Sequence, residues 1–390
     1  MIDINLLEKL NAPTAQQRLD NLKAILADID FPPTVPQYIN NHIHTTYSFS
    51  PYSPTAAVFA ARMEGLCTAG IIDHDSISGA REFLQAADLI GIPATIGMEC
   101  RVSMDGTRVA GRRTNNPDQV GVSYMTIQSV PHHNIEKLEE FFKPYRAARN
   151  ERSKKMVANI NALLPGVKLD FDRDVLPLSL YSEGGGLTER HIMYSLALKL
   201  TAQTGKGAAM VQRLEDMGLT LSEKQKAQMM DTQYPFYEYD LLAILKSAFV
   251  PRIYVDADEE CPSLKDLVKL CKEVDACLCY AYLGDVGDSV TGDKKAQKFE
   301  DDYLDELFLC LEEEGVRAVT YMPTRNTPEQ LTRLRSLCDV HNMFQISGED
   351  INSPRQSFVI KAMENPLFAN LIDATWKLIG HEREGKALPI

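Results

Sequence analysis

Seven short runs of apolar residues are spaced along the chain between residues 38 and 347. Several of these runs are continuously apolar and lack the strict alternation of a half-exposed strand. Continuous runs of this length are typical of parallel strands that are covered on both faces. The pattern therefore predicts seven strands, over residues 38–44, 69–73, 94–99, 122–128, 276–282, 317–322 and 343–347.

Helical patterns separate most of the predicted strands. Ser263 precedes a segment with leucines at intervals of three residues, and Thr327 is followed by Pro328 and then by Gln330. A capping Thr, a first-turn proline and a Gln three residues after the cap together indicate a helix start. Alternating strands and helices predict an α/β fold with right-handed crossovers. Seven such units predict a closed, parallel (β/α)7 barrel.

The alternation of strands and helices is interrupted in the middle of the chain. The patterns there predict helices over 146–164, 188–201, 222–230 and 238–249, a stretch too long and too periodic for an ordinary loop. We interpret it as a helical insertion domain. The predicted organisation is a helical extension over 1–34, the first part of the barrel over 35–145, the insertion over 146–262, and the rest of the barrel with C-terminal helices over 263–390.

Composition excludes several classes of protein. The formal net charge of -13 over 390 residues argues against a nucleic-acid surface, which needs a basic stripe. No apolar stretch reaches the roughly 18 residues that a membrane span requires. The eight cysteines include no Cys-x-x-Cys pair, and Cys277 and Cys279 fit buried thiols on one face of a strand. We therefore expect a cytoplasmic protein; the sequence does not indicate an oligomeric state.

The chemistry-bearing residues lie at the ends of the predicted strands. His42 and His44 are two residues apart, so their side chains leave the end of one strand on the same side. Paired imidazoles suit a divalent metal such as zinc, iron or manganese. Function collects at the C-terminal strand ends of parallel barrels, and further candidates lie at later ends: Asp73, His74, Asp75, Glu99 and Asp350.

The order of these motifs resembles that of the PHP (polymerase and histidinol phosphatase) superfamily. The matching segments are 42–45 (His-Ile-His-Thr), 72–74 (Ile-Asp-His), 97–99 (Gly-Met-Glu) and 348–350 (Gly-Glu-Asp). Residues 187–192 also resemble the start of a helix in the inserted domain of the PHP phosphoesterases that cleave small nucleoside phosphates. The resemblance implies a distorted seven-stranded barrel, metals at its C-terminal face, and hydrolysis of phosphate esters.

The resemblance implies two or three metals, but only one set of ligands is complete in this chain. The first metal would be bound by His42, His44, Glu99 and Asp350, and the third would use His74. Other ligand positions of the family are substituted, and they correspond to Tyr124, Tyr282, Ser50 and Asn352. Neutral tyrosine is a poor ligand compared with imidazole. We therefore expect at least one divalent ion.

Two functional hypotheses remain open. In the first, the protein is a metal-dependent hydrolase of a small phosphate ester, with a nucleoside phosphate as a candidate substrate and a metal-activated water as the nucleophile. His74 and Asp73 would lie beside the metal, Arg325 or Arg190 would neutralise phosphate, and His191 would belong to the catalytic set. Further carboxylates could replace the missing ligands: Asp73, Asp75, Asp285 and Asp288.

In the second hypothesis the chain has lost catalytic power and binds a metal or a metabolite. Structural roles also compete at individual positions. Asp73 could order a turn, Asp350 could cap a helix, Glu99 could pair with Arg101, and His191 could be a packing residue. A nuclease is a third class, which the acidic balance disfavours.

Overall fold

A computed structural model describes residues 3–287 and 296–390, and its core is a single seven-stranded sheet. The strands follow one another in the sheet in the order of the chain. All seven predicted strands are confirmed, with ends shifted by a few residues. The strands are β1 (Val35–Ile43), β2 (Leu66–His74), β3 (Ala94–Ser103), β4 (Val122–Gln128), β5 (Cys277–Ala281), β6 (Ala318–Tyr321) and β7 (Phe344–Ser347).

The sheet is mixed, so the predicted all-parallel barrel is wrong in one respect. Strand β4 runs antiparallel to both β3 and β5, while every other neighbouring pair is parallel. The physical reason lies in the connection over residues 104–121, which contains no helix. A parallel neighbour needs a crossover, whereas an antiparallel one can follow a simple return of the chain. The first residues of β4 therefore lie at the same end of the sheet as the last residues of β3.

The two edges of the sheet meet just after β1 and β7. The amide of His44 donates to the carbonyl of Ile351 at 2.9 Å, and the amide of Ile351 donates to the carbonyl of His42 at 3.0 Å. These bonds join the end of β1 to the segment that follows β7, and the result is a nearly closed barrel. The closure also brings residue 350 beside residues 42–44.

Helices cover the outside of the barrel and fill the interval between β4 and β5. Helix starts match the sequence signals, since Ser263 caps one helix and Thr327 forms a capping box with Gln330. The helices are α1 (Ile4–Leu10), α2 (Ala15–Leu26), α3 (Pro54–Met63), α4 (Ala80–Ile90), α5 (Ile135–Leu163), α6 (Glu189–Thr204), α7 (Ala208–Asp216), α8 (Glu223–Met230), α9 (Tyr237–Ile253), α10 (Leu264–Glu273), α11 (Leu304–Glu314), α12 (Pro328–Val340) and α13 (Ala369–Glu384).

Helices α5 to α9 share a buried apolar cluster of their own. It includes Ile160, Leu200, Leu241 and Phe249. Helix α5 runs without interruption across the predicted boundary between residues 145 and 146. The insertion domain with the boundaries 146–262 therefore stays a prediction.

The N-terminal helices pack against the side of the barrel formed by α3 and α4. The guanidinium of Arg18 forms a buried, two-point ion pair with Glu82, with distances of 2.8 and 2.6 Å. Glu82 also accepts the hydroxyl of Thr55 at 2.7 Å. Burial of both partners makes this pair a specific attachment of α2 to α4.

No helix among residues 3–287 and 296–390 combines the length and the apolar character needed to cross a membrane. All eight cysteines are unpaired, and Cys277 and Cys279 are buried with their sulfur atoms 3.6 Å apart. The expectation of buried thiols at these two positions is confirmed.

Gly97 allows strands β3 and β4 to approach closely. A Cβ atom at this position would lie 2.2 Å from the carbonyl oxygen of Ile127, a main-chain atom that cannot move aside independently. We predict that Gly97→Ala lowers the free energy of unfolding by about 1–3 kcal/mol, as overpacking of a tight core typically does. Denaturant unfolding followed by circular dichroism measures the change.

Gly287→Ala is the matched control, because no described heavy atom lies within 4 Å of its new Cβ. Equal stability of the Gly97→Ala protein and the native one would show that the two strands can separate at no cost, contrary to this account.

Candidate metal centre

Five side chains from four places in the chain meet at the mouth of the barrel. His42 and His44 come from the end of β1, His74 from the end of β2, Glu99 from β3, and Asp350 from the segment after β7. All four predicted ligands of the first metal are therefore brought together, and His74 joins them. Two triads have ligand atoms within 4.8 Å of one another: His42, His44 and Asp350; and His44, His74 and Glu99.

The carboxylates lie between the imidazoles. An oxygen of Glu99 is 3.2 Å from Nδ1 of His74, 3.7 Å from Nε2 of His42 and 4.0 Å from Nε2 of His44. An oxygen of Asp350 is 3.2 Å from Nε2 of His44. His44 thus belongs to both triads.

Several buried nitrogens of the imidazoles form no well-aligned hydrogen bond with any residue that the structure describes. They are Nδ1 and Nε2 of His42, Nε2 of His44 and Nδ1 of His74. A buried polar atom without a partner costs roughly 1–3 kcal/mol, so such atoms call for a physical account. Nitrogen and carboxylate donors of this kind fit zinc, iron or manganese. The residues present therefore fit a divalent cation.

Neighbouring groups of opposite charge shift the pKa values of Asp350 and His44. Burial raises the pKa of Asp350, but the opposing effects of His44, His42 and Arg190 are together larger and hold that pKa far below its usual range. Burial lowers the pKa of His44, while Asp350, Glu99 and Asp73 outweigh it and raise the pKa overall. Without a cation, the neighbouring carboxylates thus favour the protonated form of the His44 ring.

The pKa of His74 moves in the other direction. Burial is the main cause, and the nearby charges of His44 and Arg149 add to it, so the pKa lies well below the ordinary value. The ring is therefore neutral near pH 7, which is the state that can donate a lone pair to a metal or accept a proton.

Asp73 lies directly behind the centre, and three hydrogen bonds occupy its carboxylate. It accepts the amide of Thr45 at 2.7 Å, the hydroxyl of Thr45 at 2.6 Å and the hydroxyl of Ser48 at 2.5 Å. The same Ser48 oxygen lies 3.1 Å from Nδ1 of His44. These hydrogen bonds show that Asp73 orders the loop after β1.

The positions where the family resemblance implied further ligands have diverse surroundings. Tyr124 faces the centre, with its ring centroid 6.0 Å from that of His74, because β4 is reversed and its first residues lie at the mouth. Tyr282 donates its hydroxyl to Asp301 at 2.6 Å. The Ser50 hydroxyl accepts the amide of Tyr52 at 3.3 Å, and Asn352 donates to both oxygens of Asp350 at 2.8 Å.

The other predicted site residues have partners of their own. The guanidinium of Arg325 donates to the carbonyl of Leu283 at 3.1 Å. His191 caps α6 by accepting the amide of Thr188 at 3.0 Å, and burial, followed by the charge of Arg149, lowers its pKa to about 3. Asp285 pairs with Lys298 at 2.7 Å, Asp75 forms an ion pair with Arg149, and Asp288 lies outside the described residues.

A buried network of charges, which the sequence reading missed, lies beside the centre. Glu189 accepts from Arg101 at 2.9 Å, from Arg152 at 2.5 Å and from Arg149 at 3.4 Å. Glu260 accepts from Arg101 at 2.7 Å and from Arg152 at 2.6 Å. The spacing of Arg146, Arg149 and Arg152 on one face of α5 was the available signal. The network attaches α5 and α6 to β3.

A glycine-rich turn presses the start of α6 against the end of β2. A Cβ on Gly186 would lie 2.2 Å from the carbonyl oxygen of His74, and one on Gly184 would lie 2.2 Å from the hydroxyl of Ser78. Ser76 donates its hydroxyl to the carbonyl of Gly184 at 2.7 Å. Glycine is therefore required where this turn packs on the strand that carries His74.

Two half-buried cations, Arg190 of α6 and Lys246 of α9, lie within electrostatic range of Asp350. Within the described parts of the chain, neither has an ion-pair partner within 4.0 Å. The charge of Arg190 and burial lower the pKa of Lys246 to about 8, while Asp118, Glu189 and Asp350 oppose the shift. Two cations without a close ion-pair partner among the described residues thus lie near Asp350.

No protein-family model and no curated protein matches the sequence. Several solved structures share the fold, and they include the following two. One is from Bifidobacterium adolescentis and has the provisional name of metal-dependent phosphoesterase; it is 20% identical, covers 87% of this chain and 98% of its own, and has a TM-score of 0.53. The other is an amidohydrolase from Chromobacterium violaceum, solved with sulfate and without metal. It is 17% identical, the alignment covers 86% of this chain and 96% of the amidohydrolase chain, and the TM-score is 0.54.

We predict that His42→Ala sharply lowers the metal content of the purified protein and leaves the barrel folded. Both ring nitrogens of His42 are buried and form no hydrogen bond within residues 3–287 and 296–390, so truncation of the side chain deletes a metal donor and breaks no hydrogen bond among those residues. Elemental analysis by mass spectrometry measures the metal, and circular dichroism measures the fold. His341→Ala is the matched control, since its ring contacts Glu312 away from the centre. An unchanged metal-to-protein ratio for His42→Ala would argue against the assignment.

Proposed function

We propose that this protein is a metal-dependent phosphoesterase of the PHP type that hydrolyses a small phosphate ester. The observation that carries the proposal is the convergence of three imidazoles and two carboxylates at the mouth of the barrel. Several nitrogens of these imidazoles are buried and form no hydrogen bond with any described residue. The order of the motifs along the chain supports the PHP assignment, and the likeness in fold to a provisionally named metal-dependent phosphoesterase supports the hydrolysis of a phosphate ester.

His42, His44, Glu99 and Asp350 would hold the principal metal. When bound, a divalent cation supplies Lewis acidity and brings the pKa of a coordinated water towards neutrality. His74 would complete the ligand set or accept a proton from that water, because its ring is neutral near pH 7. We propose at least one metal ion and do not assign further ones, because the hydroxyl of Tyr282 bonds Asp301 and the hydroxyl of Ser50 accepts the amide of Tyr52.

Arg190 and Lys246 would bind the phosphoryl oxygens. Neither cation has an ion-pair partner within 4.0 Å among the described residues, and both lie within electrostatic range of Asp350. Phosphate oxygens are strong acceptors for such cations, above all for the fork of a guanidinium. A small ester, such as a nucleoside phosphate, suits a centre enclosed on one side by α6 and α9. We further propose that residues 146–262 form the insertion domain that carries this wall.

The second candidate is a protein that binds a metal or a metabolite without turnover. It is favoured by the hydroxyl of Tyr282, which bonds Asp301 at a position where the family resemblance implies a metal ligand.

Phosphatase assays separate the two candidates. The protein is stripped of metal, reloaded with zinc, iron(II) or manganese, and tested against nucleotides and sugar phosphates. Metal-dependent phosphate release supports the hydrolase, and bound metal without turnover of any substrate supports the second candidate.

We predict that Arg190→Gln raises the KM for the best phosphate ester by about 10- to 100-fold, since a hydrogen bond to a charged group contributes roughly 1.5–3 kcal/mol. Steady-state kinetics measure the change. Arg325→Gln is the comparison, because Arg325 is the other arginine predicted to neutralise phosphate and it already donates to Leu283. A large KM increase for Arg325→Gln alone would transfer the role to that residue.

We predict that kcat/KM falls as the pH rises through about 8, because the lowered pKa of Lys246 makes this side chain lose its charge there. The protonated form binds phosphate, so affinity is present below this pH and lost above it. Lys246→Arg should move the alkaline limb to higher pH, and Lys246→Met should remove it and lower kcat/KM below pH 8. An alkaline limb that is identical in all three proteins would show that another group titrates.

A further inference from the structure

The hydroxyl of Ser48 lies between a metal-ligand candidate and a buried carboxylate. Its oxygen is 2.5 Å from Oδ1 of Asp73 and 3.1 Å from Nδ1 of His44. All three side chains are buried, with at most 1% of each residue exposed. Water therefore has no access to replace either contact, and the single hydroxyl proton must serve one neighbour or the other.

The distances decide where that proton lies. A hydroxyl bonded to a carboxylate at 2.5–2.7 Å is a charge-assisted hydrogen bond, about twice as strong as a neutral one. The contact to Asp73 has this length, whereas the contact to His44 has the length of a neutral bond. Ser48 therefore donates to Asp73 and has only lone pairs to offer to His44.

It follows that Nδ1 of His44 carries a proton and donates it to Ser48. The neutral ring then has its lone pair on Nε2, the atom 3.2 Å from Asp350 and 4.0 Å from Glu99. A lone pair that faces two carboxylates is repulsive unless a cation lies among them. Nε2 of His44 is also buried and forms no hydrogen bond with any residue that the structure describes.

We propose that Ser48 and Asp73 are positioning residues that fix His44 as the Nδ1-protonated tautomer, so that Nε2 is presented as a metal donor. Metal-binding histidines are commonly oriented by a carboxylate bonded to the second ring nitrogen. Here the carboxylate acts through a serine, because Asp73 is held by Thr45 in the loop after β1. Asp73 therefore acts on the metal centre without touching the metal. The inference rests on the proposed metal site, and not on turnover.

Zinc affinity and the tautomer of His44 test the relay in the full-length protein. Zinc affinity is measured by competition with a chelator, and we expect Ser48→Ala to weaken it by about 10- to 100-fold, as the loss of an outer-shell partner does. The tautomer is read in metal-free protein by 15N NMR of labelled histidine, at a pH where the ring is neutral, with His44→Gln to assign the signal. We expect protonation at Nδ1 in the native protein and a mixture of tautomers in Ser48→Ala.

Thr55→Val is the matched control, because it removes a buried hydroxyl that donates to the carboxylate of Glu82, away from the centre. It should lower thermal stability and keep both the zinc affinity and the tautomer. Asp73→Asn is the second variant, should Ser48→Ala fail to fold. We expect Asp73→Asn to weaken zinc binding, and the double variant to bind no more weakly than Ser48→Ala alone, since both substitutions break one relay.

Two results would overturn the relay. One is a neutral His44 ring that carries its proton on Nε2, and not on Nδ1, in the metal-free native protein. The other is a folded Ser48→Ala protein with native zinc affinity and a native tautomer. Neither result depends on phosphatase activity, so a protein that binds zinc but releases no phosphate would contradict the proposed hydrolysis and leave the relay intact.

Discussion

The geometry of the site depends on the buried charges of Arg101, Arg149, Arg152, Glu189 and Glu260. Burial of an ion costs several kcal/mol, and here each glutamate compensates by accepting from two or three guanidinium groups. A network of this kind stabilises one arrangement, because removal of a single partner leaves an unpaired buried charge at a cost of about 3–5 kcal/mol. The network connects β3 to α5 and α6, and so fixes these two helices relative to the strand that carries Glu99.

The closure of the barrel and the assembly of the centre use the same contacts. The hydrogen bonds between residues 42–44 and Ile351 bring together the two ends of the sheet and also place Asp350 beside His44. On the opposite side, the reversal of β4 places Tyr124 at the mouth, where its hydroxyl accepts from Arg101 at 3.1 Å. The site is therefore asymmetric, with imidazoles on β1 and β2 and an aromatic and cationic boundary on β4 and the helices.

The strands and the shared direction of His42 and His44 could be predicted because the responsible signals are local. Apolar runs identify the strands, and the two-residue repeat places His42 and His44 on one side of β1. Asp73 was ambiguous, since a turn residue and a ligand have the same sequence signal at a strand end. Only the three donors around its carboxylate distinguish the two. Tyr124 and Tyr282 were ambiguous for the same reason, since both are tyrosines at predicted strand ends. Only the structure shows that the ring of Tyr124 lies beside His74, whereas the hydroxyl of Tyr282 bonds Asp301.

The number of strands, the residues at their ends and the presence of helices between β4 and β5 could be predicted without a structure, because each depends on periodicity within a few residues. Tertiary structure alone decided the direction of β4 and the partner of each buried charge. Arg101 and Glu260, for example, are 159 residues apart in the chain and 2.7 Å apart in space. Pairings of this kind depend on which distant segments pack together, and no local pattern contains that information.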